Sequence, residues 1–144
     1  MEGFTFLDAN VFMYAAGAPH AYKEPCVRIL ADVETDKLVA TVDTEIFQEL
    51  LYRYSHINLA EKGVLLCRDI LRYRMVILPV EELDIRETIE LYNSLRHKGV
   101  KPRDVIHAAV MKNHDISRVI SADKHFDHFD FLSRIDPLDY NSAN

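Results

Sequence analysis

Two acidic residues directly follow apolar runs that have the length of buried strands. Asp8 comes after Phe4–Leu7, and Asp123 comes after Val119–Ala122. Continuous apolar runs are typical of parallel strands that are buried on both faces. Ligands of open parallel sheets bind at the carboxyl ends of the strands, near the point where strand order reverses. The spacing therefore directs attention to Asp8 and Asp123 as partners in one site.

Two further acids lie on helices that can reach the same edge. Asp104 stands in the first turn of the helix opened by Pro102, where simple complementarity to the helix dipole is the alternative explanation. The helix after the second strand carries Glu45 and Glu49. On a helical wheel, Glu49 lies about 130° and Glu45 about 170° from the centre of the apolar face, so neither is expected to be buried.

Four carboxylates in one cleft would repel one another strongly. Two unit charges about 5 Å apart cost roughly 3 kcal/mol at an effective dielectric constant of about 20. Protonation or a divalent cation relieves this repulsion. Oxygen ligands favour hard ions, here Mg²⁺ with Mn²⁺ as the other candidate, and such ions suit phosphodiester hydrolysis.

The elements that would position these acids alternate along the chain. Strands are predicted over residues 4–7, 38–42, 74–80 and 119–122, with an edge strand near Ile135. Helices are predicted over residues 9–15, 20–34, 44–54, 59–73, 81–97 and 102–113. This alternation predicts an α/β fold, with a mostly parallel central sheet of four or five strands between helical layers.

Composition favours a single domain that spans residues 1–144. The hydrophobic fraction of 49% is enough for a core, and the net charge of −6 excludes RNA binding through overall positive charge. Cys26 and Cys67 are far apart, without the spacing of a zinc knuckle, and are interpreted as buried thiols. There is no signal peptide pattern and no apolar run of about 18 residues, so we expect a cytoplasmic protein without a membrane span.

Other chemistries fit the sequence less well. His125 and His128 lie among acids, but their spacing without a general-base Glu is a weak zinc signal. His107 follows Asp104 by three residues, as in one half of a di-iron pair, but the second half is absent and we interpret His107 as a helix-packing residue. Asn10 stands where a phosphatase of the haloacid dehalogenase type requires its second acid.

Positive charge is concentrated in two blocks, residues 53–74 and residues 96–118. The second block leads into Asp104 and contains Lys98, Lys101 and Arg103. We expect these three side chains to guide a phosphate backbone towards the acids. An ordinary set of cations at a helix end and in a solvated loop is an equally good explanation.

Four segments, in this order, resemble the motifs of PIN-domain nucleases, and the overall length resembles the VapC-type toxins of that family. These segments are Phe6–Phe12, Phe47–Leu50, Pro102–Ala109 and Ile120–Phe126. The resemblance implies a PIN-like α/β/α sandwich and a Mg²⁺-dependent endoribonuclease. It implies that the metal ligands are Asp8, Glu49, Asp104 and Asp123, with Asn10 and Ser121 orienting them.

The resemblance also implies a small antitoxin partner and a homodimer. Asp127 follows Asp123 by one helical turn and is a candidate auxiliary ligand, and Glu45 remains an alternative to Glu49. Three other functions stay open at this point. They are a non-catalytic PIN-like module for RNA binding or assembly, an RNA-processing nuclease outside toxin–antitoxin systems, and a nuclease of the same superfamily that acts on DNA.

Overall fold

A single parallel sheet forms the centre of the computed structural model, which describes residues 1–141. Its strands are β1 Thr5–Leu7, β2 Ala40–Asp43, β3 Val76–Leu78, β4 Arg118–Ile120 and β5 Ser133–Ile135. Their spatial order is β3-β2-β1-β4-β5, and every neighbouring pair is parallel. The predicted α/β fold with a parallel sheet is confirmed, as is the edge strand near Ile135.

Six α-helices connect the strands. They are α1 Ala9–Ala16, α2 Lys23–Glu34, α3 Glu45–His56, α4 Ala60–Ile70, α5 Glu82–Leu95 and α6 Pro102–Asn113. Short 3-10 helices cover Arg96–Lys98, Lys124–His128 and Pro137–Asp139. Helix α2 begins three residues later than predicted, because the ring of His20 accepts the backbone N–H of Tyr22 and holds residues 20–22 in a turn.

Helices cover both faces of the sheet. Every residue of β1 and β2 is buried, which requires a layer on each side and gives the predicted three-layer sandwich. The core between the layers is aromatic and aliphatic, and both cysteines are buried free thiols as expected.

Strand order reverses at β1, which lies between β2 and β4. The two connections β1–β2 and β2–β3 proceed in one direction, and the connection from β3 to β4 crosses back over both strands. The carboxyl ends of β1 and β4 therefore flank the crevice where open α/β sheets bind ligands. The backbone N–H of Asp8 donates to the carbonyl of Ile120 at 3.1 Å, which places Asp8 beside the end of β4.

Helices α3 and α4 approach each other unusually closely at Gly63. A Cβ atom on Gly63 would lie 2.7 Å from Cβ of Tyr54, so only glycine permits this spacing. The contact fixes the position of α3, which carries Glu49 towards the crevice.

No helix within residues 1–141 combines the length and the apolar content that spanning a bilayer requires.

Candidate active site

Asp8 directly follows the central strand β1 and caps α1. This position places its side chain at the centre of the site. Its side chain is 3% exposed, and Oδ1 accepts the backbone N–H of Ala9 at 2.8 Å. Oδ2 accepts a 2.6 Å hydrogen bond from the hydroxyl of Ser121 and a 3.0 Å bond from Nδ2 of Asn10. Burial raises the pKa of Asp8, although the charge of His107 and these hydrogen bonds partly oppose it.

Ser121 and Asn10 join β1 to β4 around this carboxylate. Nδ2 of Asn10 also contacts Oγ of Ser121 at 3.1 Å, and Oδ1 of Asn10 accepts the backbone N–H of Ala122 at 3.3 Å. Oγ of Ser121 accepts the backbone N–H of Asp123 at 2.9 Å. Both residues thus contact Asp8, and Ser121 also contacts the backbone of Asp123; their role in orienting metal ligands stays a prediction.

Asp104 and Asp123 form the second part of the site, together with His125. One oxygen of each acid and a ring nitrogen of His125 lie within 4.8 Å of one another. Asp104 is 2% exposed, and its Oδ2 has no hydrogen-bond partner among residues 1–141. Burial, and then the charges of Asp8 and Asp123, raise the pKa of Asp104 to about 8. The carboxyl group is therefore destabilised as an anion until a cation binds.

Asp123 experiences a different environment. Burial alone would raise its pKa, but the backbone N–H of His125 donates to Oδ1 at 2.9 Å and lowers it below its usual range. The ring nitrogen Nδ1 of His125 lies 3.0 Å from the same oxygen. His125 is thus part of the site, which the weak zinc signal did not identify, and its ring centroid lies 6.1 Å from that of His128.

Glu49 is buried, so the helical-wheel prediction of an exposed Glu49 is wrong. The wheel considers only the face of α3 that meets the sheet, whereas α6 covers the flank that carries Glu49. Its Oε2 lies 3.3 Å from Nε of Arg53 and 3.7 Å from Nε of Arg103. Burial raises the pKa of Glu49, but the hydrogen bond and charge of His107 and the charges of both arginines outweigh it, so the pKa is lowered.

His107 was interpreted from the sequence as a packing residue, and this interpretation missed its polar contacts. The ring does pack on Phe6, with 5.3 Å between ring centroids. Its Nδ1 also lies 2.7 Å from Oδ2 of Asp43, and its Nε2 lies 3.3 Å from Oε1 of Glu49. Burial lowers the pKa of His107, but Asp43 and then Glu49 outweigh this effect and raise it well above its usual range.

Asp43, which the sequence did not single out as a site residue, ends β2 and caps helix α3. Its Oδ1 accepts the backbone N–H of Ile46 at 3.2 Å, while Oδ2 contacts His107. The missed signal was available in the sequence, because Asp43 ends β2 as Asp8 ends β1, and both strand ends reach the same edge of the sheet.

Asp127 lies outside this cluster, so the structure gives no support to its expected role as an auxiliary ligand. It is 54% exposed, and its carboxylate pairs with Nε of Arg134 at 2.9 Å. The five-residue helix Lys124–His128 is of the 3-10 type, so a spacing of four residues does not return to the same face. Glu45 is only half-buried at the start of α3, and its carboxyl borders Asp43 and Glu49.

The three predicted RNA-contacting cations lie in different surroundings. Lys98 and Lys101 are exposed. Arg103 turns inward to Glu49 and keeps 29% of its side chain exposed. A shallow groove beside the site is lined by Gln48, Tyr52, Lys101, Pro102 and Arg103.

The donor set fits a hard divalent cation. Asp8, Asp104 and Asp123 offer carboxylate oxygens, and the buried Oδ2 of Asp104 lacks a hydrogen-bond partner in residues 1–141. Oxygen ligands of this kind are those that Mg²⁺ and Mn²⁺ prefer. The arrangement can hold an ion at the carboxyl ends of β1 and β4, with Asn10 and Ser121 keeping the ligands in place.

Comparison with known proteins identifies the family. The family model of the PIN domain matches residues 5–132. The chain is similar to the VapC ribonuclease Mb1869c of Mycobacterium bovis, with 31% identity over 129 residues that cover 90% of this chain and 97% of the relative.

Solved structures share the fold. The structure of VapC20 of Mycobacterium tuberculosis, a toxin that cleaves the sarcin–ricin loop, gives a TM-score of 0.73 at 15% identity and covers 85% of this chain and 92% of that one. The structure of VapBC2 from Rickettsia felis bound to a promoter DNA fragment gives a TM-score of 0.70 at 16% identity, with coverage of 92% and 97%. The family match and the sequence relatives together lead to one conclusion: the chain belongs to the PIN domain family and, within it, to the VapC-type ribonucleases.

Proposed function

We propose that this protein is a Mg²⁺-dependent endoribonuclease that hydrolyses RNA phosphodiester bonds in the cytoplasm, and that residues 1–144 form one nuclease domain. The observation that carries the proposal is that two carboxylate clusters adjoin at the crevice. Asp8 lies with Glu49 and His107, and Asp104 lies with Asp123 and His125. The charge of Asp8 acts on Asp104, whose buried Oδ2 has no hydrogen-bond partner among the described residues. Buried carboxylates that lack counter-charges are relieved by protonation or by a cation, and RNA phosphates are a substrate that such a cation suits.

Asp8, Asp104 and Asp123 would hold Mg²⁺, for which Mn²⁺ can substitute. The ion would lower the pKa of a bound water and would place positive charge beside the scissile phosphate. Ser121 and Asn10 fix the orientation of the Asp8 carboxylate through hydrogen bonds of 2.6 and 3.0 Å. Glu49, the fourth acid expected from the resemblance, adjoins Asp8 and is held by His107 and two arginines.

We further propose that the protein is the toxin of a toxin–antitoxin pair, with a small antitoxin as partner and a homodimer as its assembly. Relatives include VapBC complexes, which supports this role. Exposed apolar side chains on α4 and α5, among them Leu65, Leu83 and Ile89, support contact with other chains. A groove between α1, α2 and α4 that Phe12, Leu30 and Tyr73 help to line supports a peptide partner.

A cleavage assay tests the activity. The full chain should cut a mixed RNA substrate in Mg²⁺ and should stop in EDTA. Asp8→Asn should lower the rate at least 100-fold and leave the circular dichroism spectrum unchanged, since Asn retains the ability to cap α1. Full activity in EDTA or in Asp8→Asn would reject the mechanism.

Further experiments separate the alternative functions. RNA binding without cleavage, and unchanged in a variant that lacks all four acids, would favour a non-catalytic module. Equal cleavage of DNA would favour a nuclease of broader substrate range. Expression should arrest growth, and co-expression of the small protein encoded beside it should relieve the arrest if the toxin role is right; growth without arrest would point to an RNA-processing nuclease.

A further inference from the structure

Glu49 differs from the other three acids of the site in its partners. Both of its oxygens face positive groups: Oε1 faces Nε2 of His107 at 3.3 Å, and Oε2 faces the Nε atoms of Arg53 and Arg103 at 3.3 and 3.7 Å. Within the described chain, no other acid of the four has an arginine partner. The negative charge of Glu49 is therefore already balanced by the protein.

The other three carboxylates lack such balance. Asp8 accepts only from a backbone N–H, an amide and a hydroxyl, which are neutral donors. Asp104 leaves one buried oxygen without a partner in residues 1–141, and Asp123 has His125 beside it. None of these three acids has an arginine partner in residues 1–141, so a cation meets less competing positive charge there than at Glu49.

We propose that Glu49 anchors Arg53 and Arg103 as a phosphate-binding clamp, beside a single-ion site formed by Asp8, Asp104 and Asp123. This inference rests on the proposed ribonuclease function and assigns Glu49 a role other than that of metal ligand. Glu49 and His107 are positioning residues in it, and the two arginines contact the RNA.

Electrostatics separates the two roles of Glu49. An ion bound to its carboxylate would lie within a few ångströms of two guanidinium groups, which stay charged at all relevant pH values. Repulsion between a divalent ion and a unit charge is twice that between two unit charges at the same distance. Within residues 1–141 the two arginines pair with Glu49 and with none of the three aspartates, so an ion on the aspartates would have no guanidinium directly on its ligands.

The arginines have the geometry of a clamp. The Nε atom of each is buried and faces Glu49, while 38% of the Arg53 side chain and 29% of the Arg103 side chain remain exposed. The inner end of each group thus lies in an ion pair with Glu49, without a hydrogen bond from Nε, and the outer part remains available to ligand. Guanidinium groups recognise phosphate through paired N–H donors, and a fixed group loses less entropy on binding.

The surroundings of the clamp indicate where an RNA strand would lie. Arg103 forms one wall of the groove that also contains Lys101, Tyr52 and Gln48. Lys101 offers an ammonium group for a further phosphate contact. Tyr52 is half exposed and offers a ring on which an unpaired base can stack. The clamp therefore connects this groove to the metal site and favours a single-stranded segment as substrate.

His107 and Asp43 hold the anchor itself. His107 is fully buried, and Asp43 fixes its Nδ1 at 2.7 Å, so that Nε2 faces Glu49. The cationic partners of Glu49 thus come from two elements, Arg53 from α3 and both His107 and Arg103 from α6.

Metal binding is the first test. Isothermal titration of metal-free full-length protein with Mn²⁺ should give one ion per chain. Asp104→Asn should weaken binding at least tenfold, and Glu49→Gln should keep one ion with an affinity within threefold of the wild type. Two ions in the wild type, or a tenfold loss in Glu49→Gln that circular dichroism shows to be folded, would overturn the inference.

RNA binding is the second test, and it remains decisive if Glu49→Gln does not fold. Anisotropy of a labelled single-stranded RNA in EDTA should show at least tenfold weaker binding for the double variant Arg53→Gln/Arg103→Gln. The salt dependence should also become shallower by about 1.4, the value for two lost phosphate contacts on a single strand. Unchanged affinity and slope would overturn the clamp.

Arg86→Gln is the matched control. Arg86 pairs with Glu82 at the same i,i+4 spacing as Arg53 with Glu49, but on the exposed surface of α5. Its RNA affinity should equal that of the wild type. A wild type that cleaves RNA while the clamp variants bind normally contradicts only this inference, whereas a wild type that neither binds Mn²⁺ nor cleaves RNA contradicts the proposed function.

Discussion

The Nδ1 atom of His107 lies 2.7 Å from Oδ2 of Asp43, and both side chains are completely buried. The other ring nitrogen faces Glu49, so one imidazole joins the end of β2, helix α3 and helix α6. Asp43 and then Glu49 raise the pKa of the ring well above its usual range despite burial, which favours a buried ion network over a neutral hydrogen bond. Such networks are costly to break from one side.

Removal of the imidazole should therefore destabilise the fold strongly. His107→Leu leaves Asp43 and Glu49 buried without this partner, and we expect a loss of about 3–5 kcal/mol in the free energy of unfolding. Urea unfolding at pH 6 measures it. His97→Gln, a change of an exposed histidine, is the control and should cost less than about 0.5 kcal/mol. A loss below 1 kcal/mol for His107→Leu would mean that the network contributes little.

Stability without metal should fall as pH rises. In EDTA, folded Asp104 with its pKa of about 8 holds a proton that the unfolded chain releases near its ordinary value of 3.8. Its stabilising contribution is complete below pH 3.8 and is lost progressively up to pH 8. Between pH 5 and 6.5, Asp104 alone should lower the free energy of unfolding by about 1.4 kcal/mol per pH unit.

Two other groups also make the free energy of unfolding fall as pH rises. Asp8, whose pKa is also raised by burial, acts in the same direction above its ordinary pKa. The raised pKa of His107 gives a contribution that is present below pH 6.5 and is lost as pH rises through the folded value. Asp104→Asn should make the free energy of unfolding depend clearly less on pH between pH 5 and 6.5. Urea unfolding at several pH values measures this slope, and an unchanged slope would contradict the prediction.

Metal should reverse the cost of ionising Asp104. Mn²⁺ at 100 times its dissociation constant should stabilise the wild type by about 2.7 kcal/mol, since it binds only the folded chain. Asp104→Asn removes a buried carboxyl that resists ionisation, so we expect a higher melting temperature in EDTA and no gain on addition of Mn²⁺. Differential scanning fluorimetry of both proteins, with and without the ion, is sufficient. An equal gain in both would exclude Asp104 as a ligand.

The contact between α3 and α4 should tolerate no added methyl group. Gly63→Ala would place its Cβ 2.7 Å from Cβ of Tyr54, so the helices must separate. We expect a destabilisation of about 1–3 kcal/mol by thermal or urea unfolding. Glu61→Ala, on an exposed position of the same helix, should change stability by less than about 0.5 kcal/mol. Equal effects of the two changes would show that the helices adjust without cost.

The existence of the strands was predictable because each apolar run is a local pattern. The residues at which the strands begin and end, and their order in the sheet, were not predictable. The predicted strand 38–42 is observed at Ala40–Asp43, since pairing with β1 and β3 decides where the ladder begins. The order of the strands depends on crossover connections, which periodicity does not encode. Asp8 was predictable for the same local reason as its strand, because it stands where the apolar run ends.

The burial of Glu49 and the role of His107 depended on packing between helices. The wheel of α3 has one apolar face, and nothing in its sequence reports that α6 covers a polar flank. His107 occupies an apolar-looking stretch of α6, where its neighbours Ala108 and Ala109 suggest packing. Its partners lie 64 and 58 residues away in sequence, beyond the reach of any local pattern.

The central position of β1 also determines when the enzyme first becomes active during synthesis. The oxygen atoms of Asp8 and Ser121 that meet at 2.6 Å belong to residues 113 positions apart, and β4 is the last strand to join β1. Until residues 118–123 are available, one edge of β1 is unpaired, and neither Ser121 nor Asp123 can reach Asp8. We expect a nascent chain without this segment to be inactive towards RNA.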